Sequence, residues 1–154
     1  LLIKGVTVSS YNIVVLSGGF DPPHVGHIRM VQDAASKCER VIVGVNSDEW
    51  LMRKKGYVFM PHEERIEMMS AIKNVFDVIV FDDDDNTANE LINLVHKAYA
   101  DSNIAFGNGG DRTTKNTPEQ ENCNEKGVDM IWGIGGDYKA QSSSTLVENS
   151  RQKR

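Results

Sequence analysis

The residues best suited to chemistry lie in one string, Ser17-Gly18-Gly19-Phe20-Asp21-Pro22-Pro23-His24-Val25-Gly26-His27. It falls where an apolar run ends and a helical pattern begins. Gly18 and Gly19 carry no Cβ, so their backbone amides can approach an anion. The helix that follows presents unpaired N–H groups and a partial positive charge at its start. His24 and His27 are three apart and share one helix face, aimed at whatever occupies that start. Gly26, between them, leaves room for a flat group on the backbone. Together these residues describe a phosphate site with two imidazole donors. They do not describe a metal pair: zinc histidines on a helix are usually spaced by four and backed by a third ligand. No metal-binding residue is assigned.

The elements that must position this string alternate. Asn12–Ser17 reads as a buried strand ending at the two glycines, and Val25–Lys37 as a helix with Val25, Ile28, Val31 and Ala35 as its stripe. Arg40–Asn46, Phe76–Phe81, Asn103–Phe106 and Val128–Trp132 read as further strands. Pro61–Asn74, Thr87–Tyr99 and Glu119–Lys126 read as helices, the last stopped by Gly127, and Leu146 onward as a terminal helix. Leu91, Leu94, Val95 and Ala98 form the stripe of the Thr87–Tyr99 helix. The alternation predicts an α/β fold: a Rossmann-like, doubly wound sheet of about five parallel strands with helices on both faces. Ligands of such sheets bind at the carboxyl ends of the strands, where the string sits. Residues 1–154 are expected to form one domain, with 1–11 as a lead-in. The first residue is Leu, so the natural start is expected to lie elsewhere or to be processed.

Composition narrows the function classes. The 154 residues carry 17 basic and 22 acidic side chains, a net charge of −5. That balance argues against nucleic-acid and membrane-surface partners but permits a locally basic site for a small anion. No apolar run approaches a membrane span. Cys38 and Cys123 lack metal-ligand spacing and read as free thiols of a cytoplasmic protein. The four consecutive carboxylates Asp82–Asp85 read as a solvated loop, because adjacent side chains diverge and cannot converge on an ion.

The string as a whole resembles the HxGH signature of the cytidylyltransferase-like nucleotidyltransferase superfamily. Ser142-Ser143-Ser144-Thr145 resembles that family's second signature, a hydroxyl-rich stretch opening the last helix. Lys54 and Lys55 stand where the family places basic residues after the second strand, and Glu63-Glu64-Arg65 resembles its E-x-R. The resemblance implies transfer of a nucleotidyl group from a nucleoside triphosphate to a phosphate monoester, with release of pyrophosphate and with Mg²⁺ as cofactor. It implies that His24 and His27 stabilise the triphosphate in the transition state and that Lys54, Lys55 and Arg65 neutralise the anionic partners. Gly18, Gly19, Phe20, Asp21, Gly26, Gly110 and Asp111 would surround the nucleotide, with Asp21 orienting the site. Ser143, Ser144 and Thr145 would hold the leaving pyrophosphate. A homodimer is the expected assembly.

Two features bear on the substrate. Gly109-Gly110-Asp111 and Phe81-Asp82-Asp83-Asp84 resemble heptose 1-phosphate adenylyltransferases. Glycerol-3-phosphate cytidylyltransferases are the runner-up, but their tail arginine is missing from Tyr138–Ser144, where only Lys139 is basic. The reading therefore leans to ATP and a sugar 1-phosphate. A dinucleotide-dependent oxidoreductase would need G-x-G-x-x-G after the first strand, and a P-loop kinase a Walker lysine; neither is present. A non-catalytic nucleotide sensor keeping this fold is the remote alternative.

Overall fold

A computed structural model describes residues 2–3, 6–7, 10–110, 112, 117–136 and 142–152. Two short strands, β1 (Leu2–Ile3) and β2 (Val6–Thr7), pair antiparallel ahead of the main sheet. The central strand β3 (Tyr11–Gly18) follows. Its alternating side chains reach both layers. Ile13 and Val15 pack with Leu91, Ile92, Val95 and Cys123 on one face. Val14 and Leu16 pack with Val31, Ala34 and Met69 on the other. Burial on both faces is why this run is uniformly apolar.

Helix α1 (Val25–Ala35) leads to β4 (Cys38–Val45), then to α2 (Asp48–Lys55) and α3 (His62–Ser70). Strand β5 (Val75–Ile79), α4 (Asn89–Ala98), β6 (Ile104–Gly109), α5 (Gln120–Lys126), β7 (Asp129–Ile134) and α6 (Ser143–Gln152) complete the order. The five main strands are parallel, in the order β5-β4-β3-β6-β7. The chain winds outward from β3 through β4 to β5, then returns to the opposite side of β3 for β6 and β7. The α/β, Rossmann-like doubly wound fold expected from the alternation is the fold observed. Its switch point lies between β3 and β6, so Gly18 and Gly109 end neighbouring strands at the crevice where such sheets bind ligands.

Several local expectations need correction. Helix α2 was not anticipated, although its signals are present. Ser47 caps it by accepting from the Trp50 N–H, Asp48 and Glu49 sit in the first turn, Arg53, Lys54 and Lys55 in the last, and Gly56 ends it at φ +82°. The buried side of α1 is Val31 and Ala34, whereas Val25 and Ile28 are exposed, because at 100° per residue Val25 falls on the opposite face from Ala34 and Ile28 on the flank. In α4, Ile92 is buried and Leu94 exposed. Asp82–Asp85 is not uniformly solvated. Asp83 is buried, accepting from Asn46 Nδ2 (3.0 Å), Ser47 N (2.8 Å) and Ser47 Oγ (2.7 Å).

Candidate active site

A cleft of about 430 Å³ opens at the switch point. Its centre is the start of α1. His24 is the N-cap residue in extended conformation, and its Nδ1 accepts from Gly26 N at 3.0 Å. His27 Nδ1 accepts in turn from the His24 N–H at 3.1 Å. This is a reciprocal capping box with imidazoles in place of a hydroxyl and a carboxylate. It has a chemical consequence. A ring nitrogen that accepts from an N–H carries no proton, so the bonds assign the proton of each neutral ring to Nε2. The rings stack with centroids 3.8 Å apart and planes 25° from parallel. The Phe20 ring meets His27 edge-on at 4.8 Å. The two histidines are thus fixed as a pair of Nε2–H donors.

The loop before them is braced from behind. Asp21 is fully buried and does not line the cleft; its carboxylate accepts from Phe59 N at 2.7 Å and Met60 N at 2.5 Å. Arg65 corrects the expectation that it meets an anionic substrate. Its side chain is fully buried, with Nε donating to Met60 O (2.8 Å) and Nη1 to both Gly19 O and Asn46 O (2.7 Å each). Nη2 pairs with Asp48 at 2.7 Å. The guanidinium ties the glycine loop, the end of β4 and the start of α3 together. Gly18 and Gly19 also serve this packing: a Cβ on Gly19 would lie 2.9 Å from Leu51 Cδ2, and one on Gly18 3.0 Å from the Phe20 ring.

Helix α2 brings Trp50, Lys54 and Lys55 to the cleft, with Lys54 Nζ 4.5 Å above the Trp50 ring. The buried Asp83 holds the start of this helix. Burial alone would raise the Asp83 carboxyl, but the Ser47 N–H, the Asn46 and Ser47 side chains and the Arg53 charge outweigh it and hold the group below its ordinary range. Arg53 reinforces the loop by donating to Asp83 O at 2.8 Å. On the opposite wall, Gly109, Gly110, Ile134, Gly135 and Gly136 present mostly backbone. Gly135 adopts φ +88°, and a Cβ there would stand 3.3 Å from Met30 Cα. Asp33 fixes this wall to α1 by accepting from Gly135 N at 2.7 Å while pairing with Lys37.

Ser142, Ser143 and Ser144 line the cleft from the start of α6. Ser143 Oγ donates to Pro22 O at 2.8 Å, so its hydroxyl ties α6 to the histidine loop. Thr145 faces an adjoining groove instead. Asp111 and Lys139 lie outside the described residues. The sequence reading missed Arg29, Met30 and Trp50, which line the cleft, and Asp33 and Asp83, which hold its walls. Only packing of distant segments reveals the last two.

Among the described lining residues Arg29, Lys54 and Lys55 are cationic and none is a carboxylate. A basic cleft in a chain of net charge −5 is suited to a polyanion. Among the described residues no group of three or more His, Cys, Asp or Glu could hold a metal ion. The described residues therefore form no carboxylate cage for Mg²⁺. Among the described residues no helix is long and apolar enough to cross a membrane.

Comparison with known proteins agrees with this geometry. Residues 15–151 match the family described as cytidylyltransferase-like. The bifunctional protein HldE of Bradyrhizobium diazoefficiens is 30% identical over 142 residues, covering 88% of this chain and 26% of that protein. That of Geobacter sulfurreducens is 29% identical over 151 residues, covering 96% and 28%. The chain thus spans about a quarter of the length of these curated relatives. Among solved structures, a lipopolysaccharide core biosynthesis protein from Thermoplasma volcanium superposes with a TM-score of 0.61 at 21% identity, covering 84% of this chain and 100% of that one. A bifunctional NMN adenylyltransferase/ADP ribose pyrophosphatase from Francisella tularensis gives 0.68 at 19% identity, covering 94% and 43%. At these identities the structural likeness speaks for the fold. With the family match spanning nearly the whole chain and the paired histidines seated at the switch point, the chain belongs to the cytidylyltransferase-like family of nucleotidyltransferases.

Proposed function

We propose that the cleft transfers a nucleotidyl group from ATP to a sugar 1-phosphate of the heptose 1-phosphate type. The observation that carries the transfer chemistry is the imidazole capping box, which holds two Nε2–H donors at a helix start. In the reaction an acceptor phosphate oxygen attacks the α-phosphorus. The new P–O bond forms as the bond to the bridging oxygen breaks, and the electron pair leaves with pyrophosphate. Charge grows on the α-phosphate and the bridging oxygen, and positioned donors stabilise it. His24 and His27 supply those donors, and Lys54 and Lys55 neutralise the two anionic reactants. The amides at the α6 start and the Ser144 hydroxyl receive the pyrophosphate. Mg²⁺ would add charge neutralisation on the phosphates when bound. Asp21, Arg65 and Asp83 act by position only.

The lean to ATP and a heptose phosphate is supported by the resemblance of Gly109-Gly110-Asp111 to heptose 1-phosphate adenylyltransferases. The wall that follows it is mostly glycine backbone, which suits recognition of a base by its edge. Titration calorimetry with non-hydrolysable ATP and CTP analogues tests the choice. Binding of the ATP analogue supports it; binding of the CTP analogue alone transfers the reading to a cytidylyltransferase.

A further inference from the structure

Helix α2 delivers two adjacent lysines to the cleft, and their surroundings differ. Lys55 also lines the adjoining groove, together with Tyr57 and with Ser144 and Thr145 at the start of α6. Lys54 does not line that groove. Its Nζ reaches back one helical turn and stands 4.5 Å above the Trp50 ring. The indole in turn rests on the glycine loop: a Cβ on Gly19 would lie 3.4 Å from Trp50 Cζ3. The two lysines therefore face different sides of the cleft, Lys54 towards the glycine loop and Lys55 towards α6.

An in-line displacement needs the attacking and leaving oxygens on opposite sides of the phosphorus. With pyrophosphate leaving at the α6 start, Lys55 stands on the leaving side, and the acceptor phosphate arrives on the side of Trp50 and Lys54. The partner given to Lys54 suits that arrival. Arg53, the residue before it, is engaged within the fold, donating to Asp83 O (2.8 Å) and Asn86 Oδ1 (3.0 Å). Lys54 makes no ion pair among the described residues. A carboxylate beside it would cancel the charge and compete with phosphate. An indole face attracts the ammonium through its quadrupole, steadies a flexible stem and leaves the full charge for an incoming anion. Resting on the nucleotidyl-transfer reading, we infer that Trp50 is a positioning residue that aims Lys54 at the acceptor's phosphate, and that Lys55 serves the departing pyrophosphate.

The test is steady-state pyrophosphate release with ATP and whichever of heptose 1-phosphate, hexose 1-phosphates and glycerol 3-phosphate wild type uses best. Trp50→Leu keeps apolar bulk without a π face and is expected to raise the acceptor KM roughly fivefold, the scale of one cation–π contact. The KM for ATP should stay within about twofold. Trp50→Phe, which keeps an aromatic face, should recover most of the loss. Lys54→Met keeps the stem on the ring without the charge; it should raise the acceptor KM about tenfold or more and tests the side assignment even if Trp50→Leu fails to fold. In that background, removing Trp50 should add less than about twofold, because a residue that acts through Lys54 has nothing left to aim. Inhibition by added pyrophosphate should weaken in Lys55→Ala and stay within about twofold in Lys54→Met. A full additional loss from Trp50→Leu in the Lys54→Met protein would overturn the positioning role. A rise in the KM for ATP instead of the acceptor, or weaker pyrophosphate inhibition in Lys54→Met, would overturn the side assignment. Absence of pyrophosphate release from wild type with every acceptor would instead overturn the nucleotidyl-transfer reading itself, and this inference with it.

Discussion

Arg65 distinguishes a brace from a substrate contact, and Arg65→Lys separates the two. The substitution keeps the positive charge but replaces a planar fork by one nitrogen. The native guanidinium meets Met60 O, Gly19 O, Asn46 O and Asp48 from three nitrogens at 2.7–2.8 Å. An ammonium can retain about two of these contacts. Two buried acceptors then lose their donors, at about 1–2 kcal/mol each, for a total of about 2–4 kcal/mol. For a domain near 150 residues that corresponds to a fall in Tm of roughly 5–15 °C. Urea unfolding gives the stability directly, and titration with an ATP analogue reports the looser glycine loop as weaker binding. A direct phosphate contact would behave in the opposite way, since lysine would preserve the charge and stability would be untouched. An Arg65→Lys protein as stable as wild type but catalytically impaired would refute the bracing role.

The remaining predictions use the same geometry. Lys54→Ala and Lys55→Ala should each leave the fold intact, and at least one should weaken ATP or acceptor binding by about 1.5–3 kcal/mol in a titration. Asp83→Asn should destabilise by about 1–3 kcal/mol at pH 7, because an amide cannot accept from all three of its present donors. The sign with pH follows from the lowered carboxyl: its stabilisation is present above the ordinary value of 3.8 and is lost as pH falls through the lower folded value. The stability gap between wild type and this variant should therefore narrow on acidification below about pH 4, as followed by circular dichroism. Burial, aided by the Glu119 charge, pushes the Cys123 thiol up to about 11, and burial raises Cys38 as well. Neither should react with a thiol reagent at pH 8 until the protein is unfolded, whereas fast labelling of native protein would contradict the packing.

Much of this was legible in the sequence because its signals are local. The alternation of strands and helices follows from apolar runs interleaved with helical periodicity, and the histidine spacing marks the helix start before any coordinates are seen. What stayed hidden depends on distant packing. Asp83 sits among four consecutive aspartates, and nothing in that run tells which one turns inward to Ser47. Arg65 has the right charge and motif position for a substrate contact, yet the carbonyls it serves come from residues 19, 46 and 60. Val25 and Ile28 have helical spacing, but the face that packs inward carries Val31 and Ala34, and Val25 lies on the side opposite Ala34.

The central claim is that the histidine cleft performs nucleotidyl transfer. Its most direct test is pyrophosphate release, measured for wild type and His27→Ala with ATP, CTP, GTP and UTP crossed against sugar and polyol phosphates. The account predicts release by wild type with ATP and a sugar 1-phosphate, and a kcat about 100-fold lower or more for His27→Ala, the scale for losing one transition-state donor. Pyrophosphate release by His27→Ala at the wild-type rate, or none from wild type with any pair, would contradict it.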